Sequence, residues 1–430
     1  MSWVDGQRMN LTAATGKLGF GDVLAFLIPF LIFLEIELGG RLFASEIVMF
    51  MLLPFLLFSY GNKLLRRPVA PLVLLAFMWL AGLIVTDLIR ETVYEDYLRG
   101  WAKVFFFSSN LVVLYLLLGA NTRRWLIFGF GLAIGLLVDY FYSPSEYAGD
   151  YFWKFGIGSG ITFLIVLLSH KRLLLVRLAP ELLVAFAALL NIYFGFRSLG
   201  LVCGLTAVFL LIHRRRQRSR LPAVAMHQSK WRGVKLFLVF VVGTYGIVSL
   251  YEYAATAGWV GEEEQQKYSI QSSGKWGILL GGRSELLASG QAIIDSPLIG
   301  HGSWARNSYY ADLIDIRKDE LGYEVSGIRQ SDLIPSHSYL FGSWVEAGLA
   351  GGFFWIYILS RIYKMLRASF LSSARPKPWV IFCIFLLAWD VLFSPMGAQQ
   401  RIISAYQVVM LMLTLAAFQQ DTMVTGRLKS

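Results

Sequence analysis

Two arginines and one histidine lie where polar sequence meets long apolar segments: Arg197, Arg283 and His337. An arginine guanidinium is a planar fork that can pair with two phosphate oxygens and never loses its charge. Histidine is the side chain whose ordinary pKa lies nearest to neutral pH, so it can take a proton from a hydroxyl group. These residue types suit the binding of a diphosphate leaving group and the activation of an attacking hydroxyl.

Other polar residues in the same part of the sequence indicate a functional role less strongly. Ser338 follows the histidine directly and could hold it at a helix start. His301 lies between two glycines, which favours a turn residue over a catalyst. Glu346 lies in apolar sequence, and such carboxylates are rare in membrane helices unless they are paired or functional. The sequence contains neither a phosphate-binding loop nor a metal-binding motif.

Each candidate also has an ordinary structural interpretation. Arg197 could extend its charge to the membrane surface, and Arg283 could be an exposed charge on a surface helix. His337 could be a helix-start residue held by neighbouring serines. The buried acids would also suit a proton-coupled transporter. Position alone therefore does not choose between these roles and chemistry.

The composition identifies an integral membrane protein. Hydrophobic residues make up 56% of the 430 residues and charged residues 16%, against about a quarter in soluble proteins. The apolar runs are continuous, which excludes the alternating pattern of a β-barrel. The sequence predicts an all-α protein with about twelve transmembrane helices, at residues 22–38, 43–60, 69–88, 101–119, 125–142, 156–170, 174–192, 198–212, 234–254, 339–360, 378–394 and 402–419.

The distribution of charge predicts the orientation of these helices. Lysines and arginines cluster in alternate gaps, most densely at residues 214–235, whereas the opposite gaps carry acids such as those at 262–264. The positive-inside rule then places both termini in the cytoplasm. A net charge of +11 could also suit nucleic acid, but this distribution favours contact with anionic membrane lipid. No nucleic-acid partner is expected.

One large polar loop divides the chain into three predicted parts. Residues 1–254 form an N-terminal bundle of about nine helices, residues 255–336 an extracytoplasmic loop, and residues 337–430 about three further helices. Within the loop, Arg283 opens a segment with one apolar face that stops at Pro297. This pattern predicts a short amphipathic helix lying on the membrane surface.

Three segments together resemble the O-antigen ligase and polymerase superfamily. Residues 196–200 (Phe-Arg-Ser-Leu-Gly) resemble its Ser-Arg-Gly-type element, and residues 282–302 resemble its segment ending in Pro-Leu-x-Gly-x-Gly. The third motif is His-x-x-x-Leu-x-x-x-x-Glu-x-Gly-x-x-Gly, with its fixed residues at His337, Glu346, Gly348 and Gly351. Here the leucine, Leu340, stands one position early, and Ser338 replaces the asparagine that the family commonly has.

The resemblance implies a metal-independent, inverting glycosyltransferase without a cofactor. Its donor would be a glycan on undecaprenyl diphosphate, and its acceptor a saccharide on lipid A core or on a lipid-linked repeat unit. Arg197 and Arg283 would bind the diphosphate, and His337 would orient or deprotonate the acceptor hydroxyl. The implied location is a bacterial inner membrane, with the active site facing the periplasm and other polysaccharide-assembly proteins as partners. The supporting residues would be Glu346, Ser338 and His301.

Other functions remain open from the sequence. The acceptor could be a protein, as in a protein O-oligosaccharyltransferase. A transporter or flippase for lipid-linked sugars could use the same buried acids, although we find no inverted repeat with paired broken helices. A non-catalytic assembly subunit would not need the arginines and the histidine. Polar residues at 303–331 favour a glycan acceptor, but they do not separate a ligase from a polymerase.

Overall fold

The chain is built almost entirely of α-helices in its computed structural model. The structure describes residues 18–65, 69–170, 179–218, 285–322, 332–372 and 376–427, with single positions between 246 and 273. The helices of the described ranges are α1 (Phe20–Phe30), α2 (Ala44–Tyr60), α3 (Ala70–Ile89), α4 (Tyr94–Leu118), α5 (Thr122–Tyr142), α6 (Gly158–Leu168), α7 (Pro180–Tyr193), α8 (Arg197–Arg218), α9 (Glu285–Asp295), α10 (Ser308–Glu320), α11 (Tyr339–Ala347), α12 (Leu349–Leu371), α13 (Pro378–Phe393) and α14 (Ala398–Arg427).

A small β-hairpin joins the first two helices. Strands β1 (Glu35–Glu37) and β2 (Arg41–Phe43) pair antiparallel, with Glu35 opposite Phe43. Gly39 turns the hairpin at a φ of +64°, a conformation that glycine adopts without steric cost. Short irregular helical turns lie at Leu31–Phe33, Gly61–Lys63, Glu146–Ala148 and Trp153–Ile157.

The predicted all-α membrane fold is confirmed in its general form. Six helices in the described part of the chain are long and apolar enough to cross a membrane, and four shorter helices are also apolar. The total of about twelve spans stays a prediction, and the ninth, at residues 234–254, lies largely outside the described residues. The six long helices are Ala44–Lys63, Ala70–Ile89, Tyr94–Leu118, Thr122–Tyr142, Arg197–Gln217 and Ala398–Phe418.

The tenth predicted span, residues 339–360, is wrong as a single helix. Helix α11 ends at Ala347, α12 begins at Leu349, and Gly348 between them has φ +60° and ψ −148°. Essentially only glycine adopts this backbone conformation. Glu346 therefore lies at the end of a nine-residue helix and not inside a continuous span.

Helices from both ends of the chain share one hydrophobic core. Trp79 of α3, Phe107 of α4, and Phe354 and Trp355 of α12 are fully buried and form one aromatic cluster. The ring centroids of Trp79 and Phe354 are 5.3 Å apart, and those of Phe107 and Trp355 are 5.6 Å apart. This core fixes α12, and with it α11, against α3 and α4.

The packing of α8 against α13 shows which helix ends lie together. Helix α8 packs along α13. His213, near the end of α8, has its Nε2 3.1 Å from the carbonyl oxygen of Ser372, which lies six residues before the start of α13. The two helices run antiparallel, so Arg197 at the start of α8 lies at the same end of the bundle as the end of α13. Ser338 also reaches this end, because its hydroxyl donates to the carbonyl of Val391. We call this end of the bundle, which holds the start of α8 and the end of α13, the site end.

A buried ion pair ties three helices together near the site end. Arg401 of α14 donates through Nε and Nη2 to the two carboxylate oxygens of Glu46 on α2, at 2.7 and 2.6 Å. Asn110 of α4 donates to the same carboxylate at 3.3 Å. Glu46 is fully buried and Arg401 is 8% exposed. The two charges compensate each other in a region that excludes water.

Candidate functional site

His337 lies on the surface immediately before α11. Ser338 is the N-cap of that helix, because its hydroxyl accepts from the backbone N–H of Phe341 at 3.1 Å. The cap and the bond from Ser338 to α13 fix the backbone beside the histidine. The imidazole itself is 50% exposed, and its Nδ1 lies 3.7 Å from Oε1 of Glu285. One ring nitrogen therefore faces a carboxylate, on a side chain that solvent and ligands can reach.

Glu285 is a site residue that the sequence interpretation missed. It is the first residue of α9, which ends at Asp295. The helix predicted in the segment before Pro297 is therefore confirmed. Arg283 lies outside the described residues, two positions before Glu285 in the sequence. The contact with His337 could not be predicted, because it joins residues about fifty positions apart without a local pattern.

Glu346 pairs with a lysine that was also missed. Its Oε2 lies 2.5 Å from Nζ of Lys103 on α4, and both side chains are 15% exposed. Asp96, Lys103 and Asn110 recur at intervals of seven along α4, which places them on one face of the helix. Each side chain bonds to a different part of the protein: Asp96 to the segment before α10, Lys103 to α11 and Asn110 to α2. This face of the helix therefore joins α4 to its neighbours.

The two glycine-containing motifs found in the sequence contact each other. Residues 298–302 lie against the junction of α11 and α12 and satisfy backbone groups that the interruption leaves open. The bonds run from His301 N to Val345 O (2.7 Å), from Gly302 N to Glu346 O (3.1 Å) and from Leu349 N to Leu298 O (3.2 Å).

The glycines of these motifs are required by close packing. Gly300, Gly302 and Gly348 all have positive φ values, of +82°, +95° and +60°. A Cβ at Gly348 would overlap the carbonyl oxygen of Leu298, and one at Gly351 would overlap that of Ser343. The glycines in the spacing Glu-x-Gly-x-x-Gly therefore allow α11 to pack against α12. They also allow residues 298–302 to approach the junction at Gly348.

Gly348→Ala should destabilise the protein strongly. The alanine would combine an unfavourable φ with the overlap on Leu298, and we expect the free energy of unfolding to fall by about 2–3 kcal/mol. Thermal unfolding of the detergent-solubilised protein measures this. Gly61→Ala is the matched control, because Gly61 has a φ of −56° and no atoms near the added methyl group. Equal stability of the two variants would contradict the packing argument.

The end of α3 holds the same loop from the other side. Asp87 is 2% exposed and accepts from the N–H of Ser303 (2.6 Å), the hydroxyl of Ser303 (2.7 Å) and Nε1 of Trp101 (2.7 Å). Arg90 donates through Nε to the carbonyl of Gly300 at 2.9 Å. Three bonds to one carboxylate satisfy a charge that would otherwise be costly to bury. The loop is therefore fixed on two sides.

His301 connects this loop to α9 and α10. Its Nε2 lies 2.8 Å from the carbonyl oxygen of Ala292, which makes Nε2 the donor, and its ring meets the edge of Tyr310 at 5.4 Å. Tyr310 in turn donates to Asp295 at 2.8 Å. Burial and the Asp295 carboxylate raise the pKa of Tyr310 to about 12, so the hydroxyl remains a donor at neutral pH. His301 thus has a structural contact on α9 and another on α10.

Arg197 lies at the site end as the first, partly buried residue of α8. The turn before it is fixed: Phe196 N donates to Asn191 O at 2.7 Å, and the buried Asn191 side chain accepts from Trp153 at 3.0 Å. Helix α13 packs against both α8 and α11, and its end is bonded to Ser338, next to His337. Arg197 and His337, the predicted diphosphate-binding and catalytic residues that the structure describes, therefore occupy the same end of the bundle.

No cluster of three or more histidine, cysteine or carboxylate side chains suited to a metal ion occurs in the described ranges. The groups at the site end that can bind or activate a substrate are His337, Glu285 and Arg197, while Lys103 and Glu346 join α4 to α11. Comparison with protein-family models and with characterised proteins gives no match for this sequence.

Proposed function

We propose that the protein is a membrane glycosyltransferase that moves a glycan from undecaprenyl diphosphate to a saccharide hydroxyl. The observation that carries the proposal is the exposed His337, with Nδ1 beside the Glu285 carboxylate at the end of a rigid membrane bundle. A carboxylate on one ring nitrogen stabilises the imidazolium that forms when the other nitrogen takes a proton. Contacts of this kind often lengthen when no substrate is bound, so 3.7 Å is compatible with the role.

The proposed reaction needs one proton transfer and one displacement. Nε2 of His337 takes the proton of the acceptor hydroxyl as its oxygen attacks the anomeric carbon of the donor sugar. The bond from that carbon to the diphosphate oxygen breaks, and undecaprenyl diphosphate leaves with the electron pair. Attack from the opposite face inverts the anomeric configuration. The imidazolium then releases its proton to water.

Arginine at the start of α8 supports binding of the leaving diphosphate. Arg197 is the first residue of the helix, where the helix dipole also favours an anion. The resemblance assigns the second diphosphate contact to Arg283. Two guanidinium groups would stabilise the charge that develops as the bond to the diphosphate breaks.

Arg197→Lys and Arg283→Lys should each impair transfer, although both keep the positive charge. Lysine offers a single ammonium group where bidentate pairing with phosphate oxygens is needed, and we expect about a tenfold or greater loss in kcat/KM. The measurement is glycan transfer by purified variants over a range of donor concentrations. Arg99→Lys is the control, since Arg99 is an exposed arginine that bonds to the carbonyl of Gly39 in the hairpin. Wild-type kinetics in either test variant would leave that arginine with a surface role only.

A transporter or flippase for lipid-linked sugars is the second candidate. The interruption at Gly348 favours it, because transporters bind substrates and ions at broken helices. However, residues 298–302 occupy the backbone groups at this break, which would otherwise be open for an ion. We therefore prefer the enzyme. A protein O-oligosaccharyltransferase would use the same step with a protein acceptor.

A deletion strain separates the two polysaccharide functions. Loss of a polymerase leaves single repeat units on the final anchor, whereas loss of a ligase leaves long chains on undecaprenyl diphosphate. We propose transfer onto a saccharide in surface-polysaccharide assembly without choosing between these two acceptors. Unchanged surface glycans of every kind would contradict both.

A further inference from the structure

Trp304 has a backbone conformation that tryptophan rarely adopts. Its φ is +51°, and within the described residues Glu91 is the other non-glycine residue with a positive φ. Such strain persists only where the surroundings enforce it, and it concentrates at binding and catalytic sites. The side chain is 40% exposed, so the strained backbone does not serve to bury the indole. It presents an aromatic ring outward.

The residues on either side of Trp304 enforce this conformation. Ser303 is 1% exposed and is held through both its N–H and its hydroxyl by Asp87. Arg306 donates through Nε and Nη2 to the Asp96 carboxylate, at 3.3 and 3.4 Å. The Asp96 carboxylate also raises the pKa of Arg306, which is charged in any case. The chain is therefore fixed one residue before and two residues after Trp304.

Backbone pairing places this segment beside the histidine. Arg306 forms an antiparallel bridge with Leu333, and the N–H of Ile334 donates to the carbonyl of Ala305 at 2.9 Å. Trp304 precedes Ala305 by one residue. His337 follows Ile334 by three residues, which span at most about 10 Å of extended chain. An exposed, strained tryptophan thus lies on a segment paired with the segment that leads to the proposed catalytic residue.

We propose that Trp304 is a stacking platform for a sugar ring of the acceptor. This inference rests on the proposed glycosyltransferase function and names part of its acceptor site. The face of an indole carries negative potential and attracts the C–H groups on the apolar face of a pyranose ring. The Arg306 guanidinium, whose side chain is 59% exposed, provides N–H groups for sugar hydroxyls two residues from the indole. The exposure of Trp304 and Arg306 to water favours the acceptor saccharide over the lipid-anchored end of the donor.

Anchoring of the indole at the membrane interface is the competing interpretation. Tryptophan is enriched at that level in membrane proteins, but an anchor needs no particular backbone conformation. Trp304→Gly separates the two roles, because glycine accepts the positive φ while removing the ring. Trp304→Phe keeps an aromatic face, and Tyr147→Ala removes an exposed aromatic ring from a different turn of the chain.

Saccharide binding to the full chain in nanodiscs tests the proposal directly. The probes are the core oligosaccharide and the O-polysaccharide released by mild acid from the lipopolysaccharide of the source strain, which represent the two acceptors, with binding followed by saturation-transfer NMR. For Trp304→Gly we expect the Kd to rise about tenfold, while Trp304→Phe changes it by no more than about threefold. Tyr147→Ala should bind as wild type. The thermal midpoint of Trp304→Gly should be unchanged or higher, because the strain is relieved.

The outcomes distinguish this inference from the proposed function. Wild-type binding by Trp304→Gly would overturn the platform, as would a loss of binding that accompanies a fall in thermal midpoint. Unchanged binding together with weakened membrane retention would assign the indole to the interface and also overturn it. If His337→Ala abolishes transfer while Trp304→Gly binds normally, only the platform fails. If the wild-type protein transfers no glycan, the proposed function itself fails.

Discussion

His337→Ala should abolish glycan transfer while the protein remains folded and inserted. The histidine side chain is half exposed, so its removal creates no cavity in the core. Loss of a positioned general base typically slows a reaction by ~10²–10⁴, which would leave no visible polysaccharide product on a gel. Glu285→Gln should cause a smaller loss, because it removes the charge that stabilises the imidazolium but leaves the imidazole in place.

The control for His337→Ala is a histidine remote from the site. His170 follows α6, whose Phe163 packs against Trp379 at the start of α13, so it lies at the end of the bundle opposite the site end. His170→Ala should retain transfer. Thermal unfolding and membrane yield of both variants show whether folding has changed. Near-normal product from His337→Ala would reduce His337 to a helix-start residue without a catalytic role.

Arg401→Met should destabilise the protein by about 3–5 kcal/mol, because it leaves the Glu46 carboxylate buried without its partner. Within the described part of the chain, Glu46 would retain the bonds from Asn110 and from the N–H of Phe43, both at 3.3 Å. Removing Arg401 also frees the carbonyl of Arg41 in the hairpin. Denaturant or thermal unfolding of the purified protein provides the measurement.

Two further variants sharpen the test of the Glu46–Arg401 pair. In the double variant Glu46→Gln/Arg401→Met, most of the lost stability should return, because neither charge remains buried. Arg317→Met removes one member of an exposed pair with Glu320, where both side chains are at least half exposed, and should cost about 0–1 kcal/mol. Equal losses for Arg401→Met and Arg317→Met would show that burial does not govern these pairs.

Most helix positions could be predicted because hydropathy is a local property. The spans predicted at 43–60 and 69–88 correspond to Ala44–Tyr60 and Ala70–Ile89 in the structure. The tenth span failed because the loop at 298–302 bonds to the break, and that loop lies about fifty residues away in the sequence. The glycine at position 348 is evident in the sequence, but its positive φ depends on that distant contact and could not be predicted.

The site could be predicted only as single residues. His337 and Arg197 could be selected because their side-chain chemistry and their positions at segment ends are visible in the sequence. Glu285, Lys103 and Asp87 were missed because their partners lie far away along the chain and no short pattern links them. Glu46 stands near the start of an apolar segment, where nothing in the local sequence indicates a partner, and its partner Arg401 is 355 positions away.

Release of the lipid carrier is the most direct test of the proposed reaction. The purified protein in proteoliposomes would receive a synthetic undecaprenyl-diphosphate glycan and an acceptor oligosaccharide, with no nucleotide and no added metal ion. We expect one undecaprenyl diphosphate to be released for each glycosidic bond formed, and neither product with His337→Ala. Movement of the glycan to the opposite leaflet with its diphosphate linkage intact would contradict the glycosyltransferase function and identify a transporter.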